Sequence, residues 1–214
     1  MKIYNLIIDI LPSLTDGLLW TIYIFVLVLL VSIPLGFLIS AIHHFAGAGL
    51  RKGIRGYIYI MRGTPLLLQL MFIFFGLPYT GLKFGRVSAV LFAFVLNYAA
   101  YYTEIFRGGI NAIEKSQFET CKVLGLSKGY GFLKVIAPQT VRNCFPAVGN
   151  EVISLLKDTS LIYILGLNDL LKASKAMANY KSSPLPFVIA GLLYLLCTAV
   201  ITKILGKLER RIEF

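Results

Sequence analysis

Four stretches of this chain run without a single Asp, Glu, Lys or Arg: residues 17–50, 63–82, 87–103 and 182–202, which are 34, 20, 17 and 21 positions long. A helix that crosses the hydrocarbon core of a bilayer needs about 20 apolar residues. Each run therefore predicts a membrane span. A fifth span is predicted over about 145–171, although Glu151, Lys157 and Asp158 interrupt its apolar pattern. Pro34 and Gly36 are expected to interrupt the first span, and Arg62–Pro65 (RGTP) to open the second. Such breakers persist in membranes where protein or a cavity satisfies the freed carbonyls. The predicted fold class is all-α, a polytopic membrane protein with five transmembrane helices. The whole of 1–214 is expected to form one transmembrane domain.

Composition removes the soluble alternative. Hydrophobic residues make up 57% of the chain and charged residues 14%, against about 25% charged in soluble domains. The first run begins only at Gly17, lacks a basic segment before it and exceeds the apolar length of a removable signal peptide. Cys121, Cys144 and Cys197 lie far apart with no C-x-x-C spacing, so neither a metal site nor a disulfide framework is expected. The net charge of +11 would suggest nucleic acid in a soluble domain. In a membrane protein it sets topology and meets anionic head groups instead.

The basic residues divide unequally. Thirteen lie in the connectors 51–55 and 107–142 and in the C-terminal segment 203–211, whereas six (Lys2, Lys83, Arg86, Lys172, Lys175 and Lys181) fall on the opposite side. Cytoplasmic connectors are enriched in Lys and Arg. The N-terminus is thus expected outside, the C-terminus inside, and the segment 104–142 in the cytoplasm.

That segment is patterned rather than featureless. Ser116 and Glu119 have the spacing of a capping box at a helix start. Phe118, Cys121 and Leu124 recur at helical spacing, and Gly125 is placed to end the helix. A second short helix is predicted from Ser127, with Phe132, Leu133 and Ile136 on one face and a stop before Pro138. A cap, a stop and a paired apolar face predict a docking surface for a cytoplasmic partner. The tether between two membrane spans argues against DNA as that partner.

The charges of the fifth candidate span are ordered. With successive helical residues about 100° apart, Glu151, Asp158, Ser154, Asn150 and Lys157 fall within an arc of about 120°, while Val152, Ile153, Leu155 and Leu156 face elsewhere. Each charge costs roughly 2.5–3.5 kcal/mol at a helix centre on insertion scales. An internal ion pair is one explanation; a water-accessible cavity on a substrate path is the better supported one. Asn97, Tyr101 and Glu104 form a second polar line at i, i+4 and i+7, expected either to line the same cavity or to pack against a neighbouring span. Arg62 is expected at the interface or at an inner gate.

Four stretches together carry a resemblance. "ETCKVLG" (Glu119–Gly125), nine residues and "VIAP" (Val135–Pro138) resemble the EAA-x3-G-x9-I-x-L-P loop of permease subunits in ABC importers. "RGTPLLLQL" (Arg62–Leu70), "YYTEIFRGGI" (Tyr101–Ile110) and "LLKDTSL" (Leu155–Leu161) are similar to the polar-amino-acid branch of that family. Thr120 and Cys121 stand where the loop has alanines, and Val135 and Ala137 where it has isoleucine and leucine. Glu119, Gly125 and Pro138 are retained.

The resemblance implies a type I importer core of two five-span permease subunits in a prokaryotic cell membrane. Two cytoplasmic ATPase subunits would grip the coupling loop, about 108–142, at Ser116, Glu119, Gly125 and Pro138. An external binding protein would deliver the substrate. ATP and Mg²⁺ would belong to the ATPase, because this chain lacks G-x-x-x-x-G-K-[ST] and is expected to hold no cofactor of its own. For an amino acid substrate, Lys157 is expected to meet the α-carboxylate. Asp158 and Glu151 would meet the ammonium and a cationic side chain, with Ser154, Asn150, Asn97 and Tyr101 as neutral partners. Arginine, lysine or histidine are expected before glutamine. The rival is a self-sufficient ion-coupled secondary transporter or channel, against which stand five spans and no evident inverted repeat.

Overall fold

The computed structural model describes residues 2–212, with side-chain surroundings over 7–211. It is almost wholly helical: α1 (Lys2–Phe45), α2 (Ala48–Gly63), α3 (Leu66–Met71), α4 (Arg86–Ala112), α5 (Lys115–Val123), α6 (Lys128–Gly131), α7 (Ala137–Asp158), α8 (Leu170–Lys181) and α9 (Leu185–Ile212). Among the described residues, three helices are long and apolar enough to cross a membrane: Ile7–Phe45, Arg86–Ala112 and Leu185–Arg211. The pair Ala48–Gly63 and Leu66–Thr80, bent by 104°, makes a fourth candidate. The 22 residues of α7 reach about 33 Å, long enough to cross, but its many polar residues leave it less apolar than those helices. Of the fifth span expected over about 145–171, α7 covers the part up to Asp158; beyond it the chain tightens into Thr159–Leu165 and turns at Gly166.

α1 is the ruler of the molecule. Its 44 residues extend about 66 Å, well beyond the roughly 30 Å hydrocarbon core. Near one end, Gly17 packs against Asp169 and Ala173 of the α8 turn, Thr21 Oγ1 accepts from the Leu170 amide at 3.1 Å, and Lys181 pairs with Asp9 at 3.0 Å. At the other end, His44 stacks between Phe118 and Phe132, with ring centroids 5.7 and 5.6 Å away. The basic connectors 51–55 and 115–134 thus gather at one end of α1, and Lys172, Lys175 and Lys181 at the other. Lys2 lies outside the described side chains.

The expected interruption at Pro34 does not occur. α1 runs through Pro12 and Pro34 as one helix. Each proline removes one hydrogen bond, which a long helix packed on its neighbours along one face withstands. Gly36 has a different purpose: a Cβ there would lie 2.5 Å from Tyr102 Cβ and 3.0 Å from Ala99 O and Thr103 N. The α1 and α4 backbones meet at this point, as small residues allow in membranes.

Two wide helical turns share one cause. Leu77 N–H bonds to Phe72 O, and Ala137 N–H to Phe132 O, each five residues back. Pro78 and Pro138 follow immediately. A proline ring clashes with the carbonyl four residues earlier and has no N–H to offer; widening the turn before it relieves both conflicts. The helix predicted to stop before Pro138 therefore does not stop. It passes through the wide turn Phe132–Ile136 into α7, with Gln139 Nε2 donating to Val135 O at 2.8 Å.

The capping box is not formed either. The N-cap of α5 is Glu114, not Ser116, and no side chain caps its amides. Ser116 lies inside the first turn and donates its hydroxyl to Glu114 Oε2 at 3.1 Å. The chain already turns at Ile113, whose N–H bonds to Ile110 O, so the helix begins two residues earlier than the Ser116–Glu119 spacing indicates. Gly125 does end α5, at φ +67°. Leu126 N–H bonds to Cys121 O and Gly125 N–H to Lys122 O, both at 3.0 Å, the paired bonds of a left-handed helix stop. Ser127 caps α6 by accepting from Tyr130 N–H at 3.3 Å. Phe132 and Ile136 are buried, whereas Leu124 and Leu133 point to the exterior.

Candidate functional site

The α2–α3 break, the middle of α4 and the C-terminal half of α7 enclose a cavity of about 540 Å³. Arg62–Leu66 supply one wall, Asn97, Tyr98 and Tyr101 the second, and Glu151, Ser154 and Asp158 the third. The helical arc expected on α7 is thus realised for three of its five polar residues. Asn150 and Lys157 are exposed and do not line this cavity. Lys157 lies at the far edge of the arc, about 120° from Glu151, which carries it past the cavity's rim.

Each remaining side chain has a defined setting. Asp158 Oδ2 accepts from Tyr98 Oη at 2.7 Å, leaving acceptor capacity on both carboxylate oxygens. Ser154 donates to Asn150 O of its own helix at 3.1 Å, so its hydroxyl faces the cavity as an acceptor. Glu151 is half-buried and has no salt-bridge partner among the described residues. Asn97 is buried and commits both amide hydrogens, to Met61 O at 2.8 Å and Gln69 Oε1 at 3.0 Å.

Arg62 is the cation of the cavity. Its guanidinium carbon sits 5.2 Å from the centroid of the Tyr101 ring, and Nη1 lies 3.8 Å from Glu104 Oε1. Glu104 itself stands outside the lining, held by Arg107 through two hydrogen bonds of 2.8 and 2.7 Å. A guanidinium stacked on an aromatic face keeps its edge free to donate. The cavity therefore presents two carboxylates and one guanidinium to whatever enters it.

Sequence reasoning missed Tyr98 altogether and left Arg62 between the interface and an inner gate. The signal for Tyr98 was present, since a tyrosine hydroxyl buried in an apolar helix needs a partner and a charged neighbouring span offers one. Arg62 could be placed only by the 104° bend that follows it. The residues expected to meet the ATPase stand apart from the cavity. Glu119 lines a separate groove with Lys115, Lys122 and Asn111, and Gln139, next to Pro138, reaches Gln117 of α5 at 3.3 Å.

A helical bundle with a polar cavity between three of its helical elements, a bent helix pair forming one wall, and a folded helical loop at one end fits a membrane transport component. Residues 32–214 match the family model of the binding-protein-dependent transport system inner membrane component. The chain belongs to this family, and its fold is that of a type I ABC importer permease subunit. It is 35% identical over 207 residues to the arginine transport system permease protein ArtQ of Bacillus subtilis, covering 94% of this chain and 93% of that one. It is 34% identical over 203 residues to the putative glutamine transport system permease protein GlnP of Rickettsia conorii, at 92% of each. A crystal structure of an amino acid ABC transporter with histidines superposes with a TM-score of 0.87 at 30% identity, over 96% of both chains. The inward-facing MetNI methionine ABC transporter shares the fold, with a TM-score of 0.73 at 15% identity over 99% of this chain and 98% of that one.

Proposed function

We propose that this chain is the permease subunit of an ATP-driven amino acid importer and that basic amino acids are its preferred cargo. The observation that carries this is the charge of the cavity. Glu151 and Asp158 oppose Arg62 across it, a net excess of one negative charge. Arginine, lysine and protonated histidine carry two cations and one carboxylate, and match that excess; glutamine, a net-neutral zwitterion, matches it less well. Permease relatives named for arginine and for glutamine support the same class of cargo.

In this assignment Arg62 receives the α-carboxylate, replacing Lys157 in that role. Asp158 and Glu151 receive the α-ammonium and the side-chain cation, and Ser154 and Tyr101 complete the lining. All of these contacts are reversible, as passage along a path requires. α7, with its extension Thr159–Leu165, serves as a further span whose charges face the cavity, giving five spans with the N-terminus outside. Cytoplasmic ATPase subunits, which hold ATP and Mg²⁺, dock on the α5–α6 loop. A second permease subunit, identical or paired, and an external binding protein complete the system. ATP binding and hydrolysis switch access to the cavity from one side to the other.

The test is uptake into proteoliposomes by the purified complex with its ATPase and binding protein, alongside this chain alone. ATP-dependent arginine uptake by the complex, and none by the chain alone, is the expected result. Uptake driven by an ion gradient in the chain alone would overturn it.

A further inference from the structure

Two amides outside the proposed cargo contacts hold the wall of the cavity in place. α2 ends at Gly63 and α3 begins at Leu66, so the last carbonyls of α2 lose their helical partners. In a membrane these must be satisfied within the protein. Gln69, one turn into α3, reaches back across the break. Its Nε2 donates toward Met61 O at 2.9 Å, Thr64 O at 3.1 Å and Thr64 Oγ1 at 2.8 Å. Thr64 Oγ1 passes its own hydrogen to Ile60 O at 2.8 Å.

Asn97 anchors this knot to α4. Its Nδ2 donates to Met61 O at 2.8 Å and to Gln69 Oε1 at 3.0 Å. Met61 O thus receives a hydrogen from each amide, one per lone pair. The donors run in one direction, from Asn97 through Gln69 and Thr64 to Ile60. One further bond ties the same pair of helices: Tyr57 Oη donates to Leu96 O at 2.6 Å.

The next residue after Met61 is Arg62. Its stacking on Tyr101 and its approach to Glu104 lie one and two turns along α4 from Asn97. Fixing Met61 against Asn97 therefore fixes where the guanidinium emerges. We propose that Gln69 and Asn97 form a clamp that sets the angle of the α2–α3 break and so aims Arg62 into the cavity. They are positioning residues for transport, and Asn97 is not a cargo ligand. This rests on the reading of the cavity as the transport path.

The experiment uses the assembled complex and two readouts. Gln69→Met keeps the length of the side chain and removes every hydrogen bond. Gln69→Glu keeps the acceptor toward Asn97 and removes the donors, and serves should the methionine variant fail to assemble. Amide hydrogen exchange over residues 60–66 should be at least about tenfold faster in either variant, since loss of local bonds lowers the cost of local opening. Exchange there at the parental rate overturns the clamp, whatever transport does. The second readout is a cycle with Arg62→Gln. Gln69→Met should lower kcat/KM for arginine uptake roughly tenfold in the parent, and less than about twofold when Arg62 is already replaced. Equal losses in both backgrounds would show a general structural role and overturn the aiming of Arg62. A complex that moves no amino acid would sink the functional reading, with the exchange result still deciding the clamp.

Discussion

Tyr98 donates its phenolic hydrogen to Asp158 at 2.7 Å, bonding α4 to α7 inside the cavity. Two helices whose backbones are held by apolar packing, including Cys144 against Gly109, are joined here by a charge-assisted bond. The same bond orients a carboxylate that lines the cavity.

Tyr98→Phe keeps the ring and deletes the donor. A hydrogen bond to a charged group contributes about 1.5–3 kcal/mol, so the assembled complex should lose up to that much stability. Asp158, no longer oriented, should bind arginine roughly threefold to tenfold more weakly. Equilibrium binding to the purified complex measures this. Parental affinity at reduced stability would make the bond a structural tie alone.

The coupling loop separates two residues that the sequence treats alike. Ser116 donates to the exposed Glu114 and caps nothing, so Ser116→Ala should shift stability by less than about 0.5 kcal/mol. Gly125 sits at φ +67°, where a side chain costs about 1 kcal/mol or more. Gly125→Asp should therefore loosen the turn between α5 and α6 and lower transport-coupled ATP hydrolysis severalfold. Equal damage from both variants would restore a capping role for Ser116.

Gly36 tests the helix crossing. Any Cβ there meets Tyr102 Cβ and two backbone atoms of α4 at 3.0 Å or closer. Gly36→Val should force α1 from α4 and cost about 1–3 kcal/mol, the usual range for overpacking. Gly56, with nothing within 4 Å of its would-be Cβ, supplies the control. Gly56→Ala should leave the melting temperature unchanged or raise it, because alanine favours helix. A melting temperature for Gly36→Val equal to the parent's would show that the crossing is loose.

Much of this arrangement is legible from residue pattern. Uninterrupted apolar runs yield the long helices because insertion energy depends on composition over some 20 residues. Gly125 is readable because few other residues tolerate its φ. Glu151, Ser154 and Asp158 share a face through helical geometry alone. The start of α5 is not readable, since Ser-x-x-Glu spacing says nothing of where the preceding chain turns. Leu133 faces the exterior rather than the apolar face its spacing predicts, because the wide turn at Phe132–Ile136 shifts the helical phase. Arg62 and the Gln69–Asn97 clamp depend on a 104° bend and on which helices it brings together. Those are tertiary facts, and no local pattern carries them.

Selectivity is the sharpest consequence of a cavity with two carboxylates and one guanidinium. Asp158→Asn and Glu151→Gln each remove one negative charge while keeping side-chain shape, so packing should change little. Asparagine at 158 still accepts from Tyr98, which keeps the α4–α7 tie intact. A lost charge-assisted hydrogen bond is worth about 1.5–3 kcal/mol, or roughly a tenfold to hundredfold loss in affinity. Arginine and lysine should suffer that loss in at least one variant more than glutamine does, because only they present a side-chain cation. Arg62→Gln should weaken all three together, since every amino acid carries the α-carboxylate. Lys157→Met should leave their relative affinities unchanged, since Lys157 faces away from the cavity. Competitive uptake into vesicles holding the full complex, at matched assembly, reads all four variants. Equal losses for arginine and glutamine in both carboxylate variants would reduce Glu151 and Asp158 to structural charges. A selective loss for basic cargo would assign the side-chain cation to them, and the size of the loss in each variant would say which carboxylate holds it.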